Sequence, residues 1–270
     1  MINKEVHFFD LDNTLWQTTA KWWIISKKDP SKPILKIEPH IGARILSGTW
    51  QSDRHKIWYN GVEGWLSNEL WIAIQQKGKL EHADIGISWR EYTDSNLISS
   101  QASDIKFFIH HIQHLKGVHC NIYLLTARGN RAAHAVLLNK LEHKLDGICQ
   151  IDGAWFINDP STFKIVGSTG YKKTCILLQS LIGWRIENEQ FLPIVEKEWD
   201  KCFFYDDEEG NIILAKDCNR ILSGLLNKTE PNLKAKILSK LDKKMLITNL
   251  VTSNEQNPFI SSTVQLIYNL

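Results

Sequence analysis

Asp10 and Asp12 stand two residues apart in the run Phe8-Phe9-Asp10-Leu11-Asp12-Asn13-Thr14-Leu15, directly after an apolar stretch. Carboxylates so spaced at a strand end can face one cavity. One of them can attack phosphorus in line and form an aspartyl-phosphate, provided that a cation offsets the repulsion between carboxylate and phosphate. The other can protonate the leaving oxygen and then activate water. The same run also suits a helix N-cap, since Asp, Asn and Thr all serve there.

Three later runs carry the groups this chemistry needs. Tyr123-Leu124-Leu125-Thr126 ends in a hydroxyl and a backbone N–H suited to holding phosphoryl oxygens, or to capping another helix. Lys172, in Thr169-Gly170-Tyr171-Lys172-Lys173, offers an ammonium to offset charge among crowded carboxylates. Lys173 competes for that role, and a solvated lysine at a helix start is the plain alternative. Phe203-Phe204-Tyr205-Asp206-Asp207 adds two carboxylates. With Asp10, the Asp12 main-chain oxygen, phosphate and waters, they suffice for an octahedral Mg²⁺ site. Arg128 is placed either to reach a substrate phosphate or to close a structural ion pair. His110, His111, His114 and His119 lack the companion spacing of a zinc site and read as a solvated helix face. Gly167-Ser168-Thr169-Gly170-Tyr171-Lys172-Lys173-Thr174 fails the Gly-x4-Gly-Lys-Ser/Thr spacing of a nucleoside triphosphate loop, so kinase chemistry is not expected.

These residues need strands to deliver them and helices to back the strands. Short apolar runs over 6–10, 120–125, 147–151 and 201–205 read as buried strands, most of them ending in polar residues. Helices are expected from 103 or 104 to about 115, over 131–141 and over 172–182. Strands alternating with helices predict an α/β fold: a Rossmann-like parallel sheet flanked by helices, with its site at the carboxyl edge. Residues 1–16 and 102–220 form the expected catalytic core. Residues 17–101 read as an insertion after the first strand, partly helical around 64–76, and 221–270 as a helical tail.

Composition sets the class. With 43% hydrophobic and 23% charged residues the chain has globular proportions, and no apolar run approaches the roughly 18 residues of a membrane helix. A net charge of +2 neither demands nor excludes a polyanionic partner. The N-terminus carries no charged-then-apolar leader, and the five cysteines form no Cys-x-x-Cys pair. A cytoplasmic protein with reduced thiols is therefore expected. Eight of the eleven tryptophans, Trp16, Trp22, Trp23, Trp50, Trp58, Trp65, Trp71 and Trp89, fall in the first third. They form the core of the insertion, or some of them, such as Trp65, form a stacking platform for a nucleobase.

In their order, Asp-x-Asp-x-Thr, then Thr126, Lys172 and Asp206-Asp207, the motifs over 6–211 resemble the haloacid dehalogenase superfamily of aspartate-nucleophile phosphotransferases. The resemblance implies Asp10 as nucleophile and Mg²⁺ ligand, and Asp12 as general acid/base whose main-chain oxygen also binds the metal. It further implies Thr126 as a phosphate ligand, Lys172 as charge stabiliser, Asp207 as the direct metal ligand and Asp206 as the residue orienting the lysine. Retention of Asp12 points to phosphate-ester hydrolysis rather than dehalogenation. A narrower set of runs looks like the phosphatase domain of the Swiss Army Knife RNA-repair group: Leu124-Leu125-Thr126-Ala127-Arg128, Leu145-Asp146-Gly147-Ile148-Cys149, Thr169-Gly170-Tyr171-Lys172 and Tyr205-Asp206-Asp207. The segment Trp58-Tyr59-Asn60-Gly61-Val62-Glu63-Gly64-Trp65-Leu66 is similar to the Gly/Trp-rich stretch of those domains. Ala127 stands where glycine is commoner, and Glu208 where arginine usually follows. A phosphorylated partner, an RNA end or a nucleotide, is the substrate class so implied, with small phosphomonoesters or a non-catalytic binding module as alternatives.

Overall fold

The computed structural model describes residues 4–59, 62–94, 96–97, 103–105, 115, 121–129, 131–144, 151–159, 164–252 and 256–268. Its first strand, β1 (Glu5–Phe9), has Val6, Phe8 and Phe9 at most 1% exposed. Burial on both faces is what a continuous apolar run requires of a central parallel strand. A short β2 (Trp16–Thr18) follows.

Residues 19–101 form one of two compact units. In it β3 (Trp22–Ser26), β4 (Asp29–Ile37) and β7 (Ile85–Ser88) make an antiparallel sheet in the order β4-β3-β7. A separate hairpin pairs β5 (His55–Tyr59) with β6 (Val62–Leu66). The helices Pro39–Leu46 and Asn68–Gln75 complete it. Ile24, Ile45, Ile57, Leu66, Ile74 and Ile85 are its core, with Trp22, Trp50, Trp71 and Trp89 packed against them. These four tryptophans thus line the core, half-buried, while Trp58 is 53% exposed. Trp22 lies so close to Gly42 that an added Cβ would stand 2.0 Å from the indole, which is why the helix carries glycine there. The expected helix around 64–76 begins only at Asn68, because 62–66 is a strand.

The other unit comprises residues 1–18 and 102–270. Here β8 (Ser103–Ile105) pairs antiparallel with β2, where a helix start was expected. Most of that expected helix, 106–114, lies outside the described residues, with His110, His111 and His114; His119 does too. The unit continues through β9 (Asn121–Thr126), β10 (Gly153–Phe156), the hairpin β11 (Trp184–Glu187) and β12 (Gln190–Val195), then β13 (Lys201–Asp206), β14 (Met245–Val251) and β15 (Phe259–Gln265). The third strand expected over 147–151 falls mainly outside the described residues, and β10 starts two residues beyond it.

The central sheet runs β10-β9-β1-β13-β14-β15, with the first five strands parallel and β15 antiparallel at the edge. Helices flank it: Arg131–Lys144, Thr169–Ile182, Glu209–Lys216, Cys218–Lys228 and Pro231–Leu238. This is a mixed α/β fold with a mostly parallel sheet. The expected helical tail over 221–270 is helical as far as Leu238 and is corrected beyond it: β14 pairs with β13 over six residues and Leu246 is fully buried. The run Met245-Leu246-Ile247-Thr248-Asn249-Leu250-Val251 is apolar enough for a buried strand, but the lysines before it made the region look like a solvated helix.

From β1 the chain moves outward through β9 and β10, then crosses to β13 on the other side. Adjacent parallel strands whose connections diverge in this way leave a crevice at their carboxyl ends. Phe9 is in register with both Leu124 and Tyr205, so Asp10, Thr126 and Asp206 reach the same edge.

Candidate active site

Asp10 continues β1 by one residue, its N–H donating to the Tyr205 carbonyl at 2.8 Å. The chain then turns sharply. Asn13 takes φ 59°, a left-handed conformation that asparagine tolerates, and the Leu15 N–H returns to the Leu11 carbonyl at 3.2 Å. The turn carries Thr14 to the neighbouring strand end. Its hydroxyl donates to Asp207 Oδ1 and accepts from the Asp207 N–H, both at 2.9 Å.

The lysine beside Asp10 is Lys173, not Lys172. Its Nζ donates to Asp10 Oδ1 and to Asp206 Oδ2, each at 2.7 Å, with the residue 1% exposed. Successive helical residues are rotated by about 100°, so only one of two adjacent lysines can face the sheet. The sequence alone does not separate the two, since four positions back from Leu177 is Lys173 and four back from Ile176 is Lys172. Lys172 instead donates to Asn158 Oδ1 at 3.0 Å.

Asp206 is a committed anchor. Besides Lys173 it accepts from the Glu208 N–H at 2.9 Å and from Asn211 Nδ2 at 3.0 and 3.1 Å. Gly170 makes room for this, since an added Cβ would stand 2.9 Å from Asn211 Oδ1. Asn211 and Asn158 were not singled out from sequence, because a lone amide carries no spacing pattern, and Thr14 entered only as the last residue of the Asp-x-Asp-x-Thr run, without a role of its own.

Arg128 meets Asp12. Its Nε and Nη2 donate to the two Asp12 oxygens at 2.9 and 2.7 Å, a bidentate pair whose arginine side chain is 1% exposed. Of the two roles left open for Arg128, the structure displays the ion pair. Thr126, fully buried at the end of β9, accepts the Arg128 N–H at 3.2 Å and keeps its hydroxyl proton to donate. Trp65 belongs to the 19–101 unit, half-buried on β6 with the Lys56 ammonium 5.4 Å from its ring.

Electrostatics follow from this crowding. Burial raises the Asp10 carboxyl well above its ordinary range; Lys173 opposes the shift, and Asp206, Asp207 and Asp12 add to it. Burial alone would lower Lys173, but the Asp10 and Asp206 carboxylates outweigh it and hold the ammonium charged. Asp207 is pushed up to about 6 by burial and by Asp206, against Thr14 and Lys173. A site with excess negative charge favours a cation. Asp10, Asp206 and Asp207 each offer an oxygen within 4.8 Å of the others, so the cluster can hold a metal ion. The Asp12 side chain is not in that group, being held by Arg128, which leaves only its main-chain oxygen for the ligand role. No protein-family model, curated protein or solved structure matches the chain.

Proposed function

We propose that this protein is a Mg²⁺-dependent phosphatase of the haloacid dehalogenase type, hydrolysing a phosphomonoester through an aspartyl-phosphate on Asp10. The observation that carries the reading is the Lys173 ammonium, bonded to both Asp10 and Asp206 at the carboxyl edge of a parallel sheet. The fixed ammonium opposes the burial that raises the Asp10 carboxyl and aims its oxygen, which is what a nucleophile toward an anionic phosphate needs.

In this reading an Asp10 oxygen attacks phosphorus, the bond to the leaving oxygen breaks, and that oxygen takes a proton from Asp12. Water then gives a proton back to Asp12 and attacks phosphorus, releasing phosphate and restoring the Asp10 carboxylate. Thr126 donates to a phosphoryl oxygen. Arg128 aims Asp12, while each Asp12 oxygen keeps a lone pair beyond its bond to arginine. Mg²⁺, held by Asp10, Asp207 and the Asp12 main-chain oxygen, would neutralise charge on the phosphate. Asp206 would act through Lys173 rather than as a ligand. The 19–101 unit would be a cap inserted between the first two motifs, and the narrower resemblance to RNA-repair phosphatase domains is what supports an RNA terminal phosphate as substrate.

The test offers a 3′-phosphorylated RNA oligonucleotide and a generic aryl phosphate in parallel, each with Mg²⁺ or EDTA, to wild type and Asp10→Asn. Metal- and Asp10-dependent phosphate release, much faster from the oligonucleotide, is expected. Activity that survives in Asp10→Asn would refute the mechanism, and silence on both substrates would point to a binding module.

A further inference from the structure

Lys172 is the cation that the nucleophile leaves over, and it is not loose. Its ammonium donates to Asn158 Oδ1 at 3.0 Å, and Asn158 Nδ2 donates to the Ala127 carbonyl at 2.7 Å. Ala127 directly follows Thr126 at the end of β9, and Asn158 lies two residues beyond β10, the next strand outward. The side-chain bridge therefore fastens the ammonium to the strand-end rim that holds the phosphate ligand, two hydrogen bonds from the residue after Thr126. The bridge is solvent-exposed, which leaves the ammonium open to a ligand, while the Asn158 backbone abuts Gly129, where an added Cβ would stand 2.6 Å from the Asn158 carbonyl oxygen.

The anchor is neutral. Among the described residues no carboxylate pairs with Lys172, whereas Lys173, its neighbour, pairs with two. An amide fixes the position of an ammonium without cancelling its charge, so the field remains available to a ligand. The first turn of the helix Thr169–Ile182, on which Lys172 lies, adds the partial positive charge of a helix N-terminus, where the Ser168 side chain caps the Tyr171 N–H.

We propose that Lys172, presented by Asn158, is a subsite for a second anionic group of the substrate, flanking the phosphate that is removed. The proposal rests on the phosphatase reading and narrows it to phosphomonoesters that carry another phosphate nearby. Two sources share that chemistry: a nucleoside bisphosphate, and the phosphodiester next to the terminal phosphate of an oligonucleotide.

The test compares nucleoside 3′-monophosphate, nucleoside 3′,5′-bisphosphate and a 3′-phosphorylated dinucleotide on wild type, Lys172→Gln and Lys172→Arg. The kcat/KM preference of wild type for a two-anion substrate over the monophosphate is expected to be about tenfold, equivalent to about 1.4 kcal/mol. It is expected to fall toward one in Lys172→Gln and to be largely kept in Lys172→Arg. Whichever two-anion substrate carries the preference identifies the source. Equilibrium binding of the same three compounds in EDTA, without turnover, separates the two ideas. Preferential binding that Lys172→Gln abolishes supports the subsite even if nothing is hydrolysed. Hydrolysis without a preference, a preference that survives Lys172→Gln, or no binding of any compound would overturn it.

Discussion

Two adjacent lysines with opposite surroundings make the sharpest contrast at the scale of single residues. Removing the Lys173 ammonium leaves Asp10 and Asp206 as buried charges without their common partner, a loss on the order of 3 kcal/mol. Lys173→Met is therefore expected to lower the denaturant midpoint sharply, with the slope unchanged, whereas Lys172→Ala should move stability by less than about 0.5 kcal/mol. Equal effects of the two variants would contradict the assigned facing of the helix. Arg128 provides a kinetic counterpart. If it aims Asp12 as a proton donor, Arg128→Met should slow phosphorylation by a nucleoside phosphate about a hundredfold, because an alkoxide leaves poorly without a proton. The initial burst from an aryl phosphate, whose leaving group needs none, should fall far less. Rapid-quench kinetics on both substrates reads the difference, and an equal loss would make Arg128 merely structural.

Among the elements, the three-stranded sheet of the 19–101 unit depends on one carboxylate. Glu91 is buried and accepts from Trp23 Nε1, Lys36 Nζ and the Lys21 N–H, each at 2.7 Å. Burial would raise its pKa, but the bonds from Lys36, Trp23 and Lys21 win and hold it below the ordinary 4.5. A depressed folded value means that the stabilisation is complete above the ordinary carboxylate pKa and lost as pH falls through the folded one. Glu91→Gln should thus cost about 1–3 kcal/mol at neutral pH. The difference from wild type should shrink as pH falls below the ordinary carboxylate value and through the lowered folded one, where the Glu91 carboxyl becomes neutral like the amide. Urea titrations at neutral and successively lower pH check this, and a pH-independent difference would reject the ionic account.

For the whole molecule, the six-stranded sheet makes the C-terminal segment part of the core. Leu246 on β14 has no exposed surface and packs in the same cluster as Phe204 and Leu178. Leu246→Ala is expected to destabilise the protein by about 2–5 kcal/mol. A chain ending at 220 should fail to give cooperative thermal unfolding by circular dichroism, because β13 would lose one of its two parallel neighbours; cooperative unfolding of that chain would restore the tail to independence. The parallel strands at the centre were legible in sequence, since strands buried on both faces must be continuous apolar runs, and Asp10, Thr126 and Asp206 mark where those runs meet polar residues. The C-terminal strands were not, because lysines at 234, 236, 240, 243 and 244 broke the pattern, and Lys244 proves to be buried, its ammonium paired with Glu198 and Asp200. By itself, then, the sequence determined an α/β sheet with acids, a hydroxyl and lysines at its carboxyl edge, since period and polarity are local properties. Tertiary structure alone decided that Lys173 faces Asp10, that Arg128 clasps Asp12 across 116 residues, and that Lys172 rests on Asn158. Such pairings depend on which strand ends lie side by side, and adjacency across a sheet is not written in the spacing of residues along the chain.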